Sequence, residues 1–126
     1  EELIAHMAVE HRIVNNDGQP FRVFGVADLC VAEPFQHRRL ASRLLSELSL
    51  LGLQHRIDFL MLMAKDHGFY KSHGFELVAN TCRWLMITEH CMLGIAHRRV
   101  QSSLMVKPLG KKEWREGLVD FLGHVF

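Results

Sequence analysis

The sequence is short of the residues that mark several common kinds of protein. Its three cysteines, Cys30, Cys82 and Cys91, include no CxxC pair. An odd number at such spacing argues against a zinc ribbon or a disulfide-stapled scaffold and fits a reduced, cytoplasmic chain. No apolar run reaches the roughly 18 residues of a membrane span, and no charged start leads into an apolar stretch, so neither membrane nor export is expected. Charge of one sign is missing as well: 15 Lys and Arg stand against 14 Asp and Glu, a formal net charge of +1. Such a balance creates no global field for nucleic acid, and any basic site must be local. There is one tyrosine, a poor supply for an aromatic stacking platform. The nine histidines show neither HExxH nor zinc-finger spacing, so scattered surface histidines are expected and no metal.

What is present is ordinary globular material. Hydrophobic residues make up 48 % and charged residues 23 % of 126 residues, enough for one domain over 1–126 and too little for two. Residues 3–14 alternate, with Ala5, Met7, Val9 and Ile13 on one face and His6, Glu10 and Arg12 on the other, which predicts a half-buried strand. Asn15-Asn16-Asp17-Gly18 predicts a turn, and Phe21–Val31 a second strand, antiparallel to the first. The period then changes. Leu40, Leu44 and Leu48, with Ala41 and Leu45, predict an amphipathic helix from about Arg38 to Leu53.

The run Phe59–Met63 is wholly apolar, as in a strand covered on both faces. Residues 66–73 read as a short helix ended by Gly74, with a strand beginning at Phe75–Val78. Strand, helix, strand requires a parallel crossover, so the core is mixed α/β. Arg83–Thr88 and Ser103–Lys107 are candidate late strands, the second closed by Pro108 and Gly110. Glu89–Gln101 is open between helix and loop.

The sharpest local feature lies where the second strand meets the long helix, from Val31 to Ser42. Free N–H groups and the helix dipole favour an anion at a helix start. His37, Arg38, Arg39 and Arg43 add cations there. Cations are unfavourable at that end by about 0.3–1 kcal/mol each, so their concentration makes more sense beside a bound phosphate. A solvated basic helix start is the plain alternative.

The segment resembles motif A of the GNAT superfamily of N-acetyltransferases, Gln/Arg-x-x-Gly-x-Gly/Ala. Gln36 takes the first position and Ala41 the last, while Arg39 stands where the family usually has glycine. An Arg-Leu pair at this place is similar to the aminoglycoside 2'-N-acetyltransferase branch. A second stretch, Phe59–Ala64 followed by Gly68-Phe69-Tyr70-Lys71-Ser72-His73-Gly74-Phe75, resembles motif B, about 30 residues further on as in the family. Two motifs in order are a far stronger signal than one, and together they cover about Ala27–Phe75. Trp114, Gly117, Val119 and Asp120 faintly resemble the end of the aminoglycoside branch.

The resemblance implies the GNAT fold: a mixed, mostly antiparallel sheet with a central splayed parallel pair, flanked by helices. It implies acetyl-CoA as acyl donor, with N–H groups of His37, Arg38, Arg39, Leu40, Ala41 and Ser42 on the pyrophosphate and Gln36 and Phe69 beside it. Backbone at Cys30 and Val31 would pair with the pantetheine arm. Tyr70 occupies the family's general-acid position, and a phenol with a pKa of about 10 can protonate a leaving thiolate. Beside Phe69 and Phe75, a core aromatic is its plain alternative. Asp28, a carboxylate in an apolar strand, is the candidate base, since enclosure there would raise its pKa. Glu10, Glu33, His6, His11 and a water relay compete with it. Cys30 reads as a small buried hydrophobe better than as a nucleophile, and Trp84 and Trp114 are candidates to line an acceptor pocket.

Family members usually open with a strand and one or two helices before such a hairpin. This chain, which begins at Glu1, is therefore expected to be a fragment or to borrow that part. Three readings follow. The first is direct transfer of an acetyl group to a primary amine of a small molecule or sugar, more loosely similar also to nodulation N-acyltransferases, with a homodimer left open. The second is a non-catalytic acyl-CoA-binding or regulatory module, kept alive by Arg39. The third is a basic nucleic-acid-binding domain using Arg38, Arg39, Arg43, Arg98 and Arg99, disfavoured by the low net charge.

Overall fold

The computed structural model describes residues 4–126, apart from the side chains of His37 and Arg38. Strands β1 (Ala5–Asn16) and β2 (Gln19–Val31) form an antiparallel hairpin. Its turn is Asp17-Gly18, with φ of 53° and 80°, the left-handed pair that matches the twist of a two-residue hairpin. A 3-10 turn over Glu33–Arg38, with a proline in its first positions, leads to helix α1 (Leu40–Gln54). Strand β3 (Phe59–Met63), helix α2 (His67–Lys71) and strand β4 (Glu76–Leu77) follow. The chain then runs through β5 (Asn80–Thr88), β6 (Cys91–Val100), β7 (Leu104–Pro108) and β8 (Val119–His124).

All eight strands belong to one sheet in the order β4-β7-β3-β2-β1-β8-β5-β6. The pairs β2–β3 and β5–β8 are parallel and the other neighbours antiparallel. Mixed α/β architecture with a central parallel pair is therefore what the chain adopts. The second parallel pair, made by β8, has no counterpart in the sequence reading.

Two cores lie on opposite faces of the sheet. Val14, Val23, Phe59, Met61, Val106, Val119 and Phe121 form one, together with Cys82. Strands far apart in sheet order share this cluster, so the sheet curls around it. On the other face α1 lays Leu45 and Leu48 on Phe24, Val26, Leu60, Leu62 and Met105. β3 contributes to both cores, which is why its sequence is apolar throughout. Each of these buried side chains contributes about 1.5–3 kcal/mol of transfer free energy.

Three sequence expectations change here. Val9 and Ile13 are 38 % and 50 % exposed, because α1 packs over β2 and β3 and leaves their part of β1 uncovered. The buried face of β1 is the opposite one, where Val14 is fully enclosed and Arg12 donates 2.8 Å to the Phe121 carbonyl. Glu89–Gln101 is neither helix nor loop: it holds β6, joined to β5 by a two-residue turn at Glu89-His90 with φ of 50° and 65°. Glutamate and histidine are unusual in such a turn, so composition did not announce it. Helix α1 starts at Leu40 and not at Arg38, since Arg39 has left-handed φ of 58°.

Buried polar groups fasten the far end of the curl. Asn80 Nδ2 donates 2.8 Å to the carbonyls of Arg115 and Gly117, and Trp114 Nε1 donates 3.0 Å to Asn80 Oδ1. Asn16 exchanges two bonds with the Arg115 backbone, at 3.0 and 2.7 Å. These bonds hold the Trp114 ring edge-on to Phe59 at 5.3 Å, closing the interior beside the start of β3. Trp114 is thus a partly buried residue packed against the core.

Candidate active site

The parallel pair supplies the site by coming apart. Pairing of β2 with β3 ends at Val26↔Leu62. Beyond it β2 bulges against β1, its partners jumping from Ala8↔Ala27 to His6↔Cys30. Asp28 within the bulge has φ of 49°, and its carbonyl lies 3.2 Å from His6 Nδ1. β3 instead stays with β7 as far as Met63↔Leu104. An opening of about 230 Å³ remains between the parted strands, lined by residues 26–29, Leu62, Met63 and Tyr70.

Tyr70 reaches this opening from α2. Gly74, at φ of 88°, turns the chain back, and the Tyr70 carbonyl accepts bonds from the N–H groups of His73 (2.9 Å) and Phe75 (3.1 Å). The phenol packs edge-on to Phe69 and Phe75, with centroids 5.1 and 5.8 Å away. Its hydroxyl has no hydrogen-bond partner among the described residues. Burial raises its pKa above 10.0, and the nearby Asp66 carboxylate raises it further; both disfavour the phenolate.

The basic segment is built on Arg39. Its left-handed backbone joins the 3-10 turn to α1, and no side chain caps the helix. Arg43 N–H donates to the Arg39 carbonyl at 3.1 Å as the first helical bond, which leaves the Leu40, Ala41 and Ser42 N–H groups at the uncapped end. Arg39 and Arg43 are exposed. The side chains expected of His37 and Arg38 lie outside the described residues. Gln36 Nε2 turns back to the Val31 carbonyl at 3.3 Å, tying the segment to the end of β2.

Asp28 and Tyr70 therefore line one opening, with the start of α1 tied to the end of β2 nearby. The Asp28 carboxylate is exposed and not enclosed in the strand, because the bulge breaks the alternation on which that expectation rested. Cys30 is exposed too, contrary to its reading as a buried hydrophobe, and does not line the opening. Among the competing bases, Glu10 pairs with His124 (3.1 Å) and Arg12 (3.9 Å), and His11 packs edge-on to Phe24. Glu33 is exposed in the 3-10 turn.

Two residues that sequence reasoning passed over belong here. Met63 is the rim of the opening. His73 Nε2 lies 3.0 Å from Ser42 Oγ and its ring sits 4.9 Å from Phe69, joining the end of α2 to the first turn of α1. Only the position of His73 one residue before Gly74 hinted at a role.

Comparison with solved structures defines the architecture. The chain resembles the GNAT family N-acetyltransferase YhbS of Escherichia coli, in complex with CoA, at a TM-score of 0.67 and 23 % identity. That match covers 94 % of this chain and 60 % of the other. It resembles NAA60 of Arabidopsis thaliana, in complex with a bisubstrate analogue, at 0.57 and 18 % identity, covering 85 % and 65 % of the two chains. A GNAT family acetyltransferase of Elizabethkingia anophelis with acetyl-CoA bound matches at 0.53 and 13 %, covering 86 % and 70 %. The chain thus has the GNAT fold, and spans about three fifths of the length of the E. coli protein. No family model and no curated protein matches the sequence. No helix among the described residues is long and apolar enough to cross a membrane.

Proposed function

We propose that the chain is an acyltransferase domain that moves an acetyl group from acetyl-CoA to a primary amine by direct transfer in a ternary complex. The observation that carries this reading is the shared opening: a carboxylate, Asp28, and a protonated phenol, Tyr70, line the gap where two parallel strands part. The described solved structures of the same fold with CoA or acetyl-CoA bound support it.

The uncapped start of α1, with N–H groups of Leu40, Ala41 and Ser42 and the cations of Arg39 and Arg43, is suited to a pyrophosphate. In this reading N–H groups of the turn at His37 and Arg38 also face it, with Gln36 and Phe69 beside it. The unpaired side of β2 near Cys30 and Val31 takes the pantetheine arm as an added strand. Asp28, directly or through a water, takes the proton of the amine as nitrogen attacks the thioester carbon. The C–N bond forms, the C–S bond breaks, and the Tyr70 hydroxyl protonates the leaving sulfur. Tyr70 is then restored from solvent, so one amide and one thiol result.

Among finer assignments, we favour a small-molecule amine as acceptor. The free thiols of Cys30, Cys82 and Cys91 support a cytoplasmic setting. Acetyl-CoA-dependent thiol release across a panel of amines tests the reading. Release with at least one amine is expected, and acetyl-CoA binding with no turnover on any amine would favour an inactive binding module instead.

A further inference from the structure

We infer that a second, apolar pocket takes a compact aromatic or aliphatic group on the acceptor, so that the acceptor is a hydrophobic primary amine and not an amino sugar. The inference rests on the transfer reading and deepens it. The pocket encloses about 210 Å³ between Met63, Cys82, Trp84, Val100, Phe121 and Val125. None of these side chains bears a charge at neutral pH, and their only polar atoms are two sulfurs and the indole N–H. An apolar cavity of about 150 Å³ is enough to hold a benzene ring, so a phenyl group fits. A sugar would bring hydroxyls that find no partners on these walls and lose their hydration on entry.

Met63 connects this pocket to the chemistry. It is the last residue of β3, 38 % exposed, and it lines both the apolar pocket and the opening that holds Asp28 and Tyr70. Trp114 packs on Phe59 at the start of β3, whereas Met63 at its other end is part-exposed. An amine whose apolar group rests against Trp84 presents its nitrogen across Met63. The exposed Asp28 carboxylate there attracts the ammonium, and Tyr70 faces the same space.

The test has two arms, one free of catalysis. First, 2-phenylethylamine is titrated into the wild-type protein and its Trp84→Phe variant without acetyl-CoA, reading tryptophan emission. A saturable change present in the wild type and absent from Trp84→Phe is expected, with glucosamine giving none; no change with 2-phenylethylamine would overturn the pocket. Second, thiol release is measured with both amines. The kcat/KM for 2-phenylethylamine should exceed that for glucosamine by at least about tenfold, and Val100→Asp, which puts a charge on the pocket wall, should abolish the preference. Equal or better use of glucosamine would overturn the inference while leaving acyl transfer intact. If acetyl-CoA does not bind, the transfer reading itself fails, and the emission arm alone still decides the pocket. If Val100→Asp does not fold, the two-amine comparison on the wild type decides.

Discussion

Ser42 Oγ and His73 Nε2 lie 3.0 Å apart, a single hydrogen bond joining the first turn of the helix proposed to hold the phosphates to the end of the helix that carries Tyr70. The two residues are 31 apart in sequence, and Phe69 and Tyr70 of the second helix pack against the same core as Leu45 and Leu48 of the first. Removing the bond should loosen both. Ser42→Ala and His73→Ala are each expected to lower stability by about 0.5–1.5 kcal/mol. In a double-mutant cycle read by urea denaturation the two losses should not add. Full additivity would show that the contact contributes nothing.

Tyr70 is the proposed acid, and its raised pKa keeps the proton available. Tyr70→Phe is expected to lower kcat by about 10²–10⁴-fold while leaving acetyl-CoA affinity close to the wild-type value. Steady-state kinetics with the best amine of the panel, beside calorimetry with acetyl-CoA, checks both halves. Unchanged turnover would return Tyr70 to the role of a core aromatic beside Phe69 and Phe75.

Arg39 occupies a conformation that glycine adopts without cost, and its left-handed φ of 58° costs a non-glycine residue about 1 kcal/mol. Arg39→Gly should relieve that strain and yet weaken acetyl-CoA binding through loss of a cation. Thermal denaturation and calorimetry should therefore move in opposite directions: a higher Tm and a larger Kd. A variant that binds acetyl-CoA more tightly would show that close backbone approach matters more than the arginine charge.

These residues show how much was legible. Turn chemistry at Asp17-Gly18, the 3.6-residue period of Leu40, Leu44 and Leu48, and the apolar run Phe59–Met63 are local signals, and each became the expected element. The bulge at Asp28 and the parallel pairing of β5 with β8 depend on partners distant in sequence, which periodicity does not encode. The same limit hid His73, whose partner is Ser42, and Met63, whose place between two pockets exists only once the sheet curls. Tyr70 was legible from its place in the second motif and Asp28 as a carboxylate in an apolar strand; that they line one opening is a three-dimensional fact.

Cys82 gives a pH dependence independent of activity. It is 1 % exposed, and burial pushes its thiol from 9.0 up to about 11, against a smaller opposing pull from Arg99. The folded chain therefore keeps this proton where the unfolded chain releases it. The resulting stability is fully present below pH 9 and is lost as pH rises from 9 through about 11. Urea midpoints across this range should fall with pH in the wild type and fall less steeply in Cys82→Ala. Identical slopes would show that Cys82 does not titrate differently in the two states.

The segment from Gln36 to Ser42 is proposed to hold the phosphates of acetyl-CoA beside the parted strands. Calorimetry with acetyl-CoA tests it most directly, run on the wild type and on a variant in which Arg39 and Arg43 are both replaced by glutamine. Saturable micromolar binding by the wild type is expected, with a clear loss of affinity in the variant, steeper at low salt, as for a charge contact. No heat up to millimolar acetyl-CoA, or equal affinity in the two proteins, would contradict it.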